Sequence, residues 1–245
     1  MTAQHLTIVT GSSRGLGAAL VDQLIAEGHL VLGIARGARA GIACEQWQHD
    51  LADPLPAAER LRAWLAQHAP DRFASATLIN NAALVGGGAP VGDIPLATLS
   101  ATLRVGLEAT LLLSSVFLGA TQSWRGRKRL LGISSGLGHS AMAASVAYCA
   151  TKAGMDHMAR AIALEQALLP NGAKVESMAP GIIDTDMQAE LRAGDPALFP
   201  DRDRFVQWHA SGALASPADC ARAVLARLHG PAFGSQPVTD IRDAS

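Results

Sequence analysis

The chain has 245 residues, of which 49% are hydrophobic and 17% charged, and its formal net charge is −1. That balance describes an ordinary globular protein and lacks the basic surface that would favour nucleic acid as a partner. The length suits one large α/β domain, so a single domain over residues 1–245 is the starting expectation.

The first residues, MTAQHLTIVTGSSRG, pass at once into an apolar strand and a glycine-rich turn, so no secretory leader is expected. Apolar runs such as ATLLLSSVFLGA are broken by Ser, Thr and Gly and fall short of the ~20 apolar residues of a membrane helix, so no membrane span is expected either. Cys44, Cys149 and Cys220 are odd in number and show no Cys-x-x-Cys pair, which points to buried thiols in a reducing, cytoplasmic setting. The eight histidines show no ligand spacing such as His-x-x-x-His, and no metal is expected.

Along the chain, short and continuously apolar runs alternate with longer Ala- and Leu-rich stretches of helical spacing. Strands are predicted at 5–10, 30–35, 76–80, 130–134, 174–179 and 236–241, each with the composition of a strand covered on both faces. Helices are predicted over 17–28, 59–68, 150–169 and 216–230, with Gly28 and Gly230 as end signals and Ser216-Pro217 as a start signal. Such alternation implies right-handed crossovers and a doubly wound parallel sheet of Rossmann type, with helices on both faces. The run Arg125, Arg127, Lys128, Arg129 reads as a solvated loop before a strand. The stretch 184–215 is the least regular, and its Phe199, Phe205 and Trp208 favour a substrate lid over disorder.

The turn TGSSRGLG, residues 10–17, follows the first strand and opens the first helix. Gly11, Gly15 and Gly17 permit a tight turn and close backbone approach, while the helix start offers free N–H groups to a phosphate. Its spacing is Gly-x-x-x-Gly-x-Gly and lacks the Gly-Lys-Ser/Thr ending of an ATP loop. After the second strand stand Ala35 and Arg36, with no acid to bind a ribose 2′-hydroxyl. Arg36, with Arg14 from the turn, suits the 2′-phosphate of NADP(H).

Tyr148, the only tyrosine, lies four residues before Lys152 in YCATK, so the two share a helix face. A free phenol has a pKa of about 10, and a nearby ammonium favours its ionised form, so the pair makes a plausible proton donor.

With TGSSRGLG, DL at 50–51, NNAA at 80–83, SS at 134–135, YCATK and PGIIDTDM at 180–187 in that order, the chain resembles the short-chain dehydrogenase/reductase family over essentially its whole length. The resemblance implies about seven strands and a catalytic set in which Tyr148 protonates a carbonyl oxygen, Ser135 hydrogen-bonds it, and Lys152 holds the nicotinamide ribose and depresses the tyrosine pKa. It places Gly11, Ser13, Arg14, Gly15, Leu16 and Gly17 at the cofactor phosphates. Asp50 and Leu51 would border the adenine, Asn81, Ala82 and Ala83 the adenosine ribose, and Pro180, Gly181, Ile183 and Thr185 the nicotinamide. It also implies dimers or tetramers built on two long helices beginning near 98 and 148.

Two positions depart from the family pattern: Ala83 replaces the last glycine of NNAG, and Gly106 replaces the asparagine that helps hold a water linking the lysine to solvent. Within the family, LEQ at 164–166 and DTDMQ at 184–188 look most like benzil reductases and sepiapterin-reductase-like members, which implies a ketone or diketone as the small-molecule carbonyl substrate. Leu137, Met142, Ile182, Met187 and Phe205, with Ser135 and Tyr148, are the candidate substrate pocket. Two alternatives stay open: a reductase of 3-ketoacyl thioesters, and an NADPH-binding sensor or structural protein with little turnover.

Overall fold

In the computed structural model, which describes residues 4–243, the apolar runs pair as β1 (Gln4–Thr10), β2 (Leu30–Ala35), β3 (Glu45–Gln48), β4 (Phe73–Asn80), β5 (Arg127–Ile133), β6 (Lys174–Ala179) and β7 (Val238–Asp240). They form one sheet in the order β3-β2-β1-β4-β5-β6-β7, every pair parallel. The helices are α1 (Gly15–Ala26), α2 (Pro54–Leu65), α3 (Leu96–Leu103), α4 (Ala109–Thr121), α5 (Val146–Ala167), α6 (Asp186–Arg192), α7 (Arg202–Ala210) and α8 (Pro217–His229). This is the Rossmann-type α/β arrangement that the alternation implied.

Side-chain alternation along the strands builds a core on each face of the sheet. Leu6 and Ile8 of β1 pack on one face with Leu61, Leu113, Phe117 and Ile162 from α2, α4 and α5. Val9 packs on the other with Leu20, Leu24, Val224 and Leu228 from α1 and α8. Most of these side chains are fully buried, and each contributes about 1.5–3 kcal/mol of transfer free energy.

Several boundaries differ from those expected. β3, with sequence EQWQ, has only Trp47 buried and so lacks the apolar run by which the other strands declare themselves. β5 begins at Arg127, so three residues of the basic run are strand and not loop. Lys128 is 4% exposed, and its Nζ donates to the Trp124 carbonyl at 3.0 Å. Only Cys220 of the three thiols is buried; Cys44 and Cys149 are half-buried. Gly28 takes φ +83 after α1, as an end signal should, whereas Gly230 sits at φ −70, a conformation open to any residue.

One continuous helical stretch, Leu96–Thr121, is long and apolar enough by length and composition to cross a membrane, contrary to the reading of separate short runs. Its apolarity is explained by packing: Val105, Ala109, Leu113, Val116 and Phe117 all belong to the core. The long helices begin at Leu96 and Val146, close to the expected 98 and 148.

Candidate active site

The strand order reverses between β1 and β4, and the segments that follow these two strands diverge to leave a crevice at the carboxyl end of the sheet. The glycine turn lies on one side of it. Gly11 (φ +67) and Gly15 (φ +55) hold left-handed backbone, and a Cβ on Gly17 would collide with the carbonyl of Gly11. The turn is braced from β4: the backbone N–H groups of Asn81 and Ala82 donate to Thr10 Oγ1 at 2.9 and 3.0 Å. Asn81 Nδ2 donates to the carbonyls of Thr10 at 2.9 Å and Gly11 at 3.3 Å. That amide therefore shapes the turn, a structural use that NNAA alone does not reveal.

The opposite side is built by β5 and α5. β5 is followed by Ser134 and Ser135, and Ser135 Oγ accepts from the N–H of Leu137 at 3.2 Å, capping a single turn at Gly136–Gly138. The same hydroxyl lies close enough to the Tyr148 phenol to favour its ionised form. α5 starts just after Ala144, the only non-glycine residue with positive φ (+58) among those described, so the chain turns sharply to present Tyr148 in the first helical turn. One turn on, Lys152 is 1% exposed, its Nζ 2.6 Å from the Ile133 carbonyl and 5.4 Å from the centre of the Tyr148 ring.

Electrostatics at this pair differ from the expected depression of the tyrosine. Burial pushes the Tyr148 phenol up to about 12, only partly opposed by the nearby Ser135 hydroxyl. Burial lowers Lys152 to about 8, opposed by the carboxylate of Asp156, one turn further along α5. Asp156 is 2% exposed and accepts from Ser177 Oγ of β6 at 2.7 Å. At neutral pH the phenol is protonated and the amine charged.

All these groups open onto one cleft of about 710 Å³. Gly11, Ser13, Arg14, Gly15, Leu16, Gly17, Arg36, Asp50, Leu51, Asn81, Ala82, Ala83, Pro180, Gly181, Ile183 and Thr185 line it, and so do Ser135, Leu137, Met142, Tyr148, Lys152, Ile182, Met187 and Phe205. Arg36 is exposed and has no ion-pair partner among the described residues, whereas Arg14 Nη1 is 2.8 Å from Asp186 Oδ2, joining the glycine turn to the start of α6. Arg125 to Arg129 do not line the cleft. The sequence reading missed Arg204 and Leu191, which α7 and α6 bring to the mouth, and Asp240 and Arg242 from the chain end. No local motif marks them, because only the return of the last segment to the sheet puts them there.

The stretch 184–215, expected to be irregular, contains the short helices α6 and α7. Its ends meet: the N–H of Asp184 donates to the carbonyl of Ala215, and the N–H of Ala215 to that of Ile182, both at 2.9 Å. Phe199 and Phe205 pack with Ala144 in a small core of their own, flanked by Met142, Leu191 and Trp208.

The short chain dehydrogenase family model matches residues 5–196. The chain belongs to this family. It is 31% identical over 226 residues to benzil reductase ((S)-benzoin forming) of Bacillus cereus, covering 89% of this chain and 91% of that protein. It is 32% identical over 227 residues to the protein of the same name from Bacillus subtilis (strain 168), covering 91% and 93%. A solved structure described as a putative NAD(P) dependent gluconate 5-dehydrogenase from Beutenbergia cavernae, with bound NADP at low occupancy, matches at 28% identity and a TM-score of 0.78, covering 98% of this chain and 96% of that one.

Short-chain dehydrogenases use nicotinamide cofactors, and the cleft fits one. The glycine turn presents left-handed glycine backbone at Gly11 and Gly15 to the cleft, and the buried Ser134 Oγ lines the cleft without a hydrogen-bond partner. In this member of the family Gly106 lies buried in a π-helical turn, Arg104–Glu108, between α3 and α4. A Cβ at Gly106 would come within 2.9 Å of Thr151 Cβ and Cγ2, so Thr151 occupies the space that a larger residue at 106 needs. The lysine uses the Ile133 carbonyl as its hydrogen-bond acceptor.

Proposed function

We propose that this short-chain dehydrogenase reduces a ketone or diketone carbonyl to an alcohol with NADPH, Tyr148 being the proton donor. The observation that carries this reading is the Ser135–Tyr148 hydroxyl pair beside a buried Lys152, in the same cleft as the glycine turn and Arg36. The likeness to the two benzil reductases supports the diketone as substrate class.

Bound dinucleotide would supply the hydride, with Gly11, Gly15 and Gly17 at its phosphates, Arg36 at a 2′-phosphate, and Asp50, Leu51 and Ala83 at the adenosine end. The protein's own residues manage the oxygen. Ser135 and Tyr148 both line the cleft and each offers a hydroxyl donor, which is what a carbonyl oxygen gaining negative charge requires. A phenol held near 12 stays protonated at neutral pH and releases its proton only when a strongly basic alkoxide forms beside it. The tyrosinate left behind gains from the positive charge of Lys152, whose Nζ lies 5.4 Å from the centre of the ring. Leu137, Met142, Ile182, Met187 and Phe205 give the substrate an apolar surface and keep water from the reacting oxygen. A sensor without turnover has no use for this acid set, and the Gly106 substitution leaves the Lys152 hydrogen bond in place. Pairing of copies is proposed through exposed Leu103 and Leu111 on one long helix and Leu164 and Leu168 on the other.

The test is NADPH oxidation followed by absorbance with benzil and 1-phenyl-1,2-propanedione, wild type beside Tyr148→Phe. Loss of a general acid lowers turnover by about 10²–10⁴-fold, and NADPH binding, read by fluorescence, should stay within a few-fold. Equal turnover in the two proteins would reject Tyr148 as the donor. Silence of the wild type toward a wide ketone panel, with NADPH bound, would reject the reductase and favour a sensor.

A further inference from the structure

At the amino-terminal edge of the sheet, opposite the cleft, the fold gathers histidines that are remote in the chain. His5 lies in β1, His29 directly before β2, and His229 ends α8; Glu27 follows α1. The His29 ring stacks between those of His5 and His229, with centroids 5.1 and 5.7 Å away. His29 Nδ1 is 2.9 Å from Thr7 Oγ1. In the tautomer that donates Nδ1–H to this hydroxyl, the Nε2 lone pair faces Glu27 Oε2 at 3.9 Å. His229 Nδ1 reaches the same carboxylate oxygen at 3.6 Å. One donor atom from each of Glu27, His29 and His229 thus lies within 4.8 Å of the other two.

We propose that Glu27, His29 and His229 form a site for a divalent transition metal of the zinc or nickel class, which fastens the end of α8 to the junction of α1 and β2. Two imidazoles and one carboxylate are the donor set that such ions accept, whereas magnesium and calcium demand oxygen ligands. Bonds of about 2.0–2.2 Å in tetrahedral geometry put ligand atoms roughly 3.3–3.5 Å apart, so the two contacts to Glu27 need only a slight contraction, while the two imidazole ligand atoms, within 4.8 Å of each other, close by up to about 1.5 Å. The Thr7 contact supplies the outer hydrogen bond that fixes a ligating imidazole. Burial and the neighbouring His5 hold His29 down to about 4, and burial lowers His229, so both rings are neutral and able to ligate at neutral pH. Arg129, facing both rings, and Arg127, facing His229, oppose a cation; the Glu27 carboxylate offsets them. Glu27 and His229 are partly open to solvent, which gives the ion and a completing water a way in.

The test is calorimetric titration of tag-free, chelator-treated full-length protein with Zn²⁺, repeated with Co²⁺ to read the visible absorption of a tetrahedral centre. One equivalent should bind with micromolar or tighter affinity and raise the unfolding temperature. Glu27→Ala and His229→Ala, both at partly exposed positions that the fold tolerates, should each weaken binding by roughly tenfold or more, in the range by which single contacts at metal sites act. His157→Ala, exposed on α5, should leave it unchanged. Affinity unaffected by either ligand variant, or saturation of wild type only at millimolar metal, would overturn the assignment. Because the site is at the far end of the sheet from the cleft, these readouts are independent of turnover.

Discussion

Lys152 keeps its ammonium at 1% exposure, with the Ile133 carbonyl as its hydrogen-bond partner, and burial lowers its pKa from 10.5 to about 8. Below about pH 8 the amine is charged and supports a tyrosinate; above it the charge is lost while Tyr148, near 12, is still protonated. Reductive kcat/KM is therefore expected to decline as pH rises through about 8. A steady-state pH profile measures this, and Lys152→Met should remove that limb together with most of the activity. The same shift acts on folding: the native state binds the lysine proton more weakly than the unfolded chain, so stability rises between about pH 8 and 10.5. Arg36 belongs to this scale as well. It is exposed and unpaired among the described residues, and a charged hydrogen bond to phosphate contributes about 1.5–3 kcal/mol. Arg36→Ala should weaken NADPH by roughly ten- to a hundredfold and NADH little, read by fluorescence titration; equal losses would deny it the 2′-phosphate.

The elements around the cleft were legible where their side chains repeat and illegible where they do not. β1 and β2 announce themselves by apolar runs, while β3 is an edge strand whose residues are mostly polar. The basic start of β5 misled for a physical reason: Lys128 is buried by pairing with the Trp124 carbonyl, which charge counting cannot foresee. The stretch 184–215 hid its helices because α6 and α7 are short and polar, held by a local cluster and not by the main core. Phe205 stands 5.5 Å from Phe199 and 5.2 Å from Trp208, ring centre to ring centre, and packs against Ala144 at the approach to Tyr148. Buried Phe→Ala changes cost about 3–5 kcal/mol, and here that loss falls on the segment 184–215. Phe205→Ala should speed limited proteolysis within 184–215 and raise KM more than it lowers kcat, while the global unfolding transition moves little.

Across the whole molecule, the chain end is anchored by a buried carboxylate. Glu176 in β6 is fully buried; its Oε1 accepts from Arg227 Nε at 3.0 Å and Thr239 Oγ1 at 2.7 Å. Its Oε2 accepts from Arg227 Nη2 at 3.2 Å and the N–H of Gly234 at 2.8 Å. This one side chain joins β6, α8 and β7, and so positions Asp240 and Arg242 at the cleft. Breaking a buried pair costs about 3–5 kcal/mol, so Glu176→Gln should lower the midpoint of denaturant unfolding markedly and expose β7 first to hydrogen exchange.

What the sequence determined by itself was everything carried by local pattern. Periodicity implied the parallel sheet, and glycine spacing placed the first turn. The YCATK helix brought a phenol and an amine to one face, because residues four apart must share it. Tertiary structure decided what depends on contacts between distant segments. It spent the Asn81 amide on the glycine turn, filled the space beside Gly106 with Thr151, and raised the tyrosine pKa that proximity to lysine was expected to depress. It also set His29 beside His229 from opposite ends of the chain. The common reason is that burial and hydrogen-bond partners are properties of the packed chain: desolvation has no expression in a spacing rule, and a buried group takes its charge, its role and its partners from whatever the fold places around it.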